Sequence, residues 1–409
     1  MKIITIIPLC LLTLTTAAAE HKFSGLIDVG FNYVDGVDSH INGHYGKFRF
    51  DNHETLSLSQ AIANYQVDFD NPVSFNTTLM AYADGHKDEV GILETQLRYQ
   101  GLPNQSGHRF NARAGIMYPK ISLENNAIGW TSPATITNST MNSWIGEELR
   151  HAGLELNWDW LGKFHQSPHD FGLTASVYKN NDTVGTLLSW RGWTLSNRQT
   201  LWHEKLPLPP VKARFGGWLR FQAADTDPFI ELDHRYGFEV NGRWQWQNRL
   251  KINVGAYDNN ADTRIVKNGQ FAWDTRFYHF GFKHKSSNNL VILGQFLSGD
   301  TLMSSPRGKT LVDNDYQTGY LSLRYQLQQQ KISVRFEEFS VTDNDSSEDD
   351  DNNEYGKAFT ASYQYRISKP LFVQAEFNWL NSNRPARAYA FKPVKLVERQ
   401  VQLVVRYYW

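Results

Sequence analysis

The sequence predicts an all-β fold: a transmembrane antiparallel β-barrel of about sixteen strands in up-and-down order. Three observations carry that prediction. Segments of alternating apolar and polar residues recur along the chain, and the polar gaps between them alternate long and short. Aromatic residues make up 14% of the chain and gather at the ends of those segments. In the last segment, 397–409, Val397, Val401, Leu403, Val405, Tyr407 and Trp409 share one face, opposite Glu398, Gln400, Gln402 and Arg406. Arg399 and Val404 break the pattern, and the chain stops on an aromatic. An apolar face opposite a polar one, over about ten residues, is what a strand between lipid and a wet lumen requires.

The N-terminus is a different kind of element. Met1 and Lys2 are followed by an apolar run from Ile3 to Leu14, broken only by Thr5, Pro8 and Thr13, and then by Ala17, Ala18 and Ala19. This is the pattern of a cleaved secretory signal peptide over 1–19, too short to span a membrane as a helix. The only cysteine, Cys10, lies inside it. The mature chain, 20–409, is therefore expected to carry no disulfide or thiolate metal site. No later segment reaches the roughly 18 uncharged apolar residues of a membrane helix. Such an exported chain enters a membrane only by closing a barrel. The mean hydropathy of −0.51 agrees, because alternating strands hide their apolar half from an average.

The strands follow in order at 23–34, 55–69, 73–83, 91–100, 108–118, 148–160, 170–180, 236–246, 249–258, 273–285, 289–298, 316–327, 330–341, 356–367, 371–380 and 397–409. An even number returns both ends of the chain to one side. The even-numbered gaps are short: Asp70 to Pro72, Gly101 to Gly107, Leu161 to His169, Gln247 and Asn248, Ser286 to Asn288, Gln328 and Gln329, and Ser368 to Pro370. The odd-numbered gaps are long, at 35–54, 119–147, 181–235, 259–272, 299–315, 342–355 and 381–396, with only 84–90 modest. A barrel with both termini on the periplasmic side has this rhythm, and a sandwich has no reason for it. We find no helical-period segment of useful length. Arg214 to Ala223 is the one stretch that offers an extra strand.

Parity within the strands assigns faces. Phe110, Ala112, Ala114, Ile116 and Tyr118 oppose Arg109, Asn111, Arg113 and Gly115; Phe238, Val240, Trp244 and Trp246 oppose Glu239, Asn241, Arg243 and Gln245. The apolar sets face lipid. Trp158, Trp160, Trp244, Trp246, Tyr407 and Trp409 then fall at the inner rim, and Tyr33, Tyr118 and Trp379 at the outer rim, where amphipathic rings suit the headgroup level. The same parity turns Arg98, Arg113, Arg243, Lys251, Lys283, Arg324, Arg335, Arg366 and Arg406 into the lumen, with Glu94, Glu155, Asp159, Glu239, Glu337, Glu376 and Glu398. The two sets are too evenly matched to set an ion preference. Cross-strand pairs such as Glu376 with Arg366, or Glu398 with Arg406, are the structural alternative to a selectivity role.

Together, the signal peptide, sixteen alternating strands, long-short gaps and terminal aromatic resemble a Gram-negative outer-membrane porin of the general-diffusion type. The resemblance implies a passive channel for small hydrophilic solutes, set in outer-membrane lipid and lipopolysaccharide, forming a homotrimer, with no cofactor. It also implies an inward-folded third outer loop, here 119–147. That segment carries only Lys120, Glu124 and Glu147 as charges, and Glu124 is expected to face lumen arginines such as Arg98, Arg113 or Arg406. The pore-lining candidates are Arg98, Arg113, Lys120, Glu124, Arg243, Arg324, Arg366 and Arg406.

Other readings stay open. The gap 181–235, with Trp190, Trp193, Trp202 and Trp218 among arginines, suits a plug, a subunit clamp or the binding element of a closed receptor or adhesion barrel. The acidic run 343–354 reads as a solvated loop, or as a cation bridge to lipopolysaccharide. A net charge of −1 argues against nucleic acid as a partner. The thirteen histidines lack metal-ligand spacing and no Gly-x-Ser-x-Gly elbow is present, so an enzyme acting on lipid or glycan is the lesser alternative. A soluble secreted sugar-binding β protein is the least favoured.

Overall fold

The computed structural model describes residues 19–83, 89–215 and 217–409. The signal-peptide reading lies outside the described residues apart from Ala19. Sixteen strands form the wall: β1 (Glu20–Asp35), β2 (His53–Asp68), β3 (Val73–Ala83), β4 (Glu89–Gln100), β5 (His108–Met117), β6 (His151–Leu161), β7 (His169–Lys179) and β8 (Gly237–Trp246). They continue with β9 (Leu250–Asp258), β10 (Trp273–Lys285), β11 (Leu290–Ser304), β12 (Thr310–Leu327), β13 (Gln330–Asp343), β14 (Glu354–Arg366), β15 (Leu371–Asn383) and β16 (Lys395–Tyr408). Each pairs antiparallel with the next, and β16 pairs with β1 to close the barrel. Closure leaves no sheet edge, so the wall satisfies its own backbone hydrogen bonds without water.

The seam has its own fastening. Arg406 on β16 lies opposite Asp28 on β1, and its Nε and Nη2 donate to the two carboxylate oxygens at 2.7 Å each. Trp409 exchanges backbone hydrogen bonds with Gly25, N to O at 3.3 Å and back at 3.2 Å. The terminal strand alternates as expected: Val401, Leu403, Val405 and Tyr407 are exposed, while Glu398, Gln400, Gln402 and Arg406 are buried in the lumen.

All sixteen expected strands are present, and the described residues of 214–223 form no strand, with Arg214 closing a short 3-10 turn. Two expectations about the gaps are corrected. The gap 299–315 is only 305–309, because β11 and β12 run on as a hairpin past the barrel rim, where Met303, Leu311 and Val312 are buried against the loops. Among the described residues two α-helices interrupt the all-β pattern, α1 (Thr140–Glu148) and α2 (Thr186–Arg191). Every residue of both is buried. A helix covered on all sides has no polar face, and so leaves no helical period in the sequence. α1 also takes residue 148 from the strand expected at 148–160, which begins at His151.

The apolar core lies inside the barrel. Trp144 of α1 packs edge-on to Trp193, Phe277 and Tyr316, at centroid distances of 5.8, 5.7 and 5.3 Å. Tyr257 stacks on Phe277 at 4.7 Å. Tyr118, expected at the lipid-facing outer rim, is 2% exposed and its hydroxyl donates to the carbonyl of Gly146 at 3.1 Å. β5 ends at Met117, so parity no longer governs the next residue.

Candidate functional site in the lumen

The segment 119–147 meets side chains that point off the polar face of the distant wall. Gln295 on β11 accepts from the backbone N–H of Leu123 at 2.8 Å and donates to the carbonyl of Ile121 at 3.0 Å. Glu376 on β15 accepts from the N–H groups of Ile136 and Thr137 at 2.6 and 2.8 Å. Glu337 on β13 accepts from the N–H of Thr140, the first residue of α1, at 2.6 Å. A helix N-terminus leaves such donors unpaired and favours negative charge, so a wall carboxylate suits it. Gly129 has φ of +62°, and a Cβ there would lie 2.5 Å from Cδ1 of Ile62 on β2. Only glycine gives both the turn and the close approach.

At the centre of this seat is Arg335 on β13, fully buried. Its Nη1 donates to Glu124 and its Nε to Glu337, each at 2.6 Å. The remaining donors reach the carbonyls of Thr137 (3.0 Å) and Asn138 (2.9 Å) and the hydroxyl of Thr360 (3.2 Å). All five N–H groups of the guanidinium therefore have acceptors, the condition under which a buried charge is tolerated. Glu124 thus faces Arg335 rather than Arg98, Arg113 or Arg406. Ser122 Oγ accepts from the N–H groups of Glu124 and Asn125, forming a turn that aims Glu124 at β13.

A second segment, 181–204, lies against the outer ends of the strands. Glu148 at the end of α1 accepts from the N–H groups of Gly185 and Leu187, at 3.2 and 2.9 Å, and from Trp144 Nε1 at 2.6 Å. Arg191 pairs with Glu147. The N–H of Trp193 donates to Glu354 on β14 at 2.9 Å, and Tyr82 at the end of β3 donates to the carbonyl of Gln199 at 2.9 Å. The acidic run 343–354 is engaged rather than simply solvated. Asp349 pairs with Lys212 at 2.6 Å, and the carbonyl of Glu348 accepts from Trp218 Nε1 at 3.0 Å.

Between the wall and the turn 118–130 lies a cavity of about 320 Å³. Four of the expected residues line it, Arg98, Arg113, Lys120 and Arg243, joined by Lys251. Glu155 serves two cations, Arg113 and Lys120, each at 2.6 Å. Asp159 likewise serves Arg109 at 2.8 Å and Arg243 at 2.5 Å. Arg243 crosses over β7 to reach it, because the residue between them in the ladder is Gly172. A Cβ there would lie 2.9 Å from Arg243 Nη2 and 3.1 Å from Asp159 Oδ1.

The other expected residues lie apart. Arg324 is 9% exposed, within the field of Glu124 and Arg335. Arg366 is exposed at the turn end of β14. Arg406 is committed to Asp28. The alternative pairs do not form: the ladder sets Arg366 opposite Phe372 but Glu376 opposite Ser362, and Glu398 opposite Leu380. Glu398 instead lies 3.8 Å from Arg387. Arg335, Glu337 and Glu376 had the right parity but no signal marking them as the seat of a loop. Asp28 shares the inward parity of Asn32.

Sixteen strands closed into a barrel, with an apolar outer face and a polar, charged inner one, are the architecture of a transmembrane β-barrel. Residues 215–405 match the family described as "Putative beta-barrel porin-2, OmpL-like". In fold the chain is similar to the outer membrane channel DcaP of Acinetobacter baumannii, at 9% identity and a TM-score of 0.62, covering 97% of this chain and 99% of that one. It is also similar to a loop-L8 deletion mutant of OmpT, an outer membrane protein of Vibrio cholerae (8% identity, TM-score 0.56, covering 96% and 100%). A third similar structure is an anion-selective porin from Comamonas acidovorans (10% identity, TM-score 0.52, covering 96% and 100%). No curated protein matches the chain.

Proposed function

We propose that this protein is a passive diffusion channel for small hydrophilic solutes across the Gram-negative outer membrane, exported by a cleaved signal peptide over 1–19. The observation that carries the reading is the polar, charge-lined cavity inside a closed barrel, between the wall of β4 to β9 and the turn 118–130. A barrel that served only as an anchor would gain nothing from arginines and lysines held on its inner face at a desolvation cost. In this reading 119–147 is the inward-folded third outer loop and forms the constriction, with Arg335 holding it down. A homotrimer is the assembly we assign to it, in contact with lipid and lipopolysaccharide.

One observation favours a second reading. The buried segment 181–204, with Trp190, Trp193, Leu195 and Leu201 at 1% exposure or less, fills the outer end of the lumen. A barrel closed at rest, opening when that segment shifts, fits this packing. Liposome swelling separates the two. Vesicles carrying the protein are expected to swell in isotonic small sugars and to exclude larger ones. Vesicles that stay shrunken in the smallest sugar would leave the closed barrel.

A further inference from the structure

Inward cations crowd the turn end of the barrel. Arg98, Lys251, Lys283, Arg324, Lys331 and Arg366 each lie within three residues of the turn end of their strands. Among the described residues, Lys251, Lys283, Arg324, Lys331 and Arg366 have no carboxylate within 4 Å. The inward acids nearby are spoken for. Asp28 is held by Arg406, and Asp159 is shared by Arg109 and Arg243. Asp170 accepts from the N–H of Gly162, and Glu20 and Asp68 share Lys22. Higher in the lumen, Glu124 and Glu337 are consumed by Arg335, and Glu376 by backbone donors. A nearly balanced count of lumen charges thus separates in space: these acids are already engaged by cations or backbone donors, Glu94 and Glu239 lie farther up the wall on the N–H of Tyr118 and on Asn241, and the turn end keeps cations without carboxylate partners.

The ladder sharpens this. Lys251 on β9 and Lys283 on β10 are direct cross-strand partners on the inner face. Like charges directly opposite one another destabilise a sheet. The charged groups whose fields reach Lys251 are Arg243, Lys283 and Lys120, all cations. Those reaching Lys331 are Arg324, Arg406 and Arg366. Folding gains nothing from this repulsion, and an anionic occupant relieves it.

We infer that the turn-end ring, centred on Lys251 and Lys283, makes the lumen selective for anions and takes small oxyanions carrying about two charges, of the phosphate or dicarboxylate kind. Basic rings select anions by replacing hydration and focusing the field. The inference rests on the channel reading and names its substrate class.

The test is the reversal potential of the purified protein in a planar bilayer under a potassium chloride gradient, with inorganic phosphate then added on the turn side. The wild type is expected to prefer chloride and to be blocked by phosphate. Lys251→Glu with Lys283→Glu should carry the reversal potential through zero and abolish the block. Lys251→Gln with Lys283→Gln, which removes the repulsion, should weaken both effects without lowering the melting temperature. A conducting channel that prefers potassium, or whose preference is unmoved by the substitutions, overturns the inference and leaves the channel reading standing. Absence of conductance overturns the channel reading instead. Calorimetry with inorganic phosphate on the detergent-solubilised protein then decides the ring. Binding lost in the glutamate variant supports it, and no binding by the wild type overturns it.

Discussion

Arg335 is the residue on which the lumen's arrangement depends most. Its guanidinium serves two carboxylates and two carbonyls across the seat of 119–147, with no solvent to replace it. Arg335→Ala leaves Glu337 buried without a countercharge and Glu124 with only the field of Arg324, a loss on the order of 3–5 kcal/mol for a broken buried pair. We expect a lower melting temperature and noisier, larger channel openings. Arg335→Lys keeps the charge but not the fork of donors, and should fall between the two. A variant as stable and as quiet as the wild type would show that the segment is held elsewhere. Glu124 was legible as a lumen-facing charge. Its partner was not, because parity assigns a face to a strand residue but says nothing about where a loop turns.

At the scale of elements, α1 and α2 are joined through Glu148, which lies outside the spanning strands. Burial pushes its carboxyl up to about 7, against the pull of the N–H donors of Leu187, Trp144 and Gly185. A displaced carboxyl titrates near about 4.3. The seated state therefore binds the extra proton, so this contribution is complete below the lower value and is lost as pH rises through about 7. Asp182, raised to about 7 mainly by burial, acts in the same direction. His40, lowered to about 4 by burial and Arg191, acts in the opposite one, losing stability as pH falls below its free value. Comparison of the wild type with Glu148→Gln isolates the carboxyl. Conductance of the wild type should rise more steeply than that of the variant between pH 5 and 8, by an amount set by the loss of this one proton. Parallel pH profiles would remove Glu148 from the coupling. Neither helix was legible, since Trp144, Leu187, Trp190 and their neighbours are buried on every side.

For the whole molecule, the wall was readable and its filling was not. Strands such as β16 alternate because one face meets lipid and the other the lumen. The turns on one side are short because nothing but hairpin closure is asked of them. Both facts are local and therefore appear in the sequence. The interior is built by contacts between residues far apart, such as Thr140 with Glu337 and Trp193 with Glu354. The lumen-facing apolar residues Tyr257, Phe277 and Tyr316 belong to that interior core. Parity gave inward faces to Glu94, Arg98, Arg113, Arg243 and Lys251 of the cavity lining, and Lys120 came from the loop 119–147; the charge count could not say which acids were already paired.

In the proposed channel two inner segments would set the conductance, 119–147 as the constriction and 181–204 above it. The most direct test is single-channel recording in planar bilayers of the wild type beside a variant with 186–201 replaced by a short Gly-Ser linker. We expect small, long-lived, stepwise openings for the wild type and a larger unit conductance for the variant. Stable insertion of both proteins without any conductance would contradict the channel reading, and would make this a closed barrel.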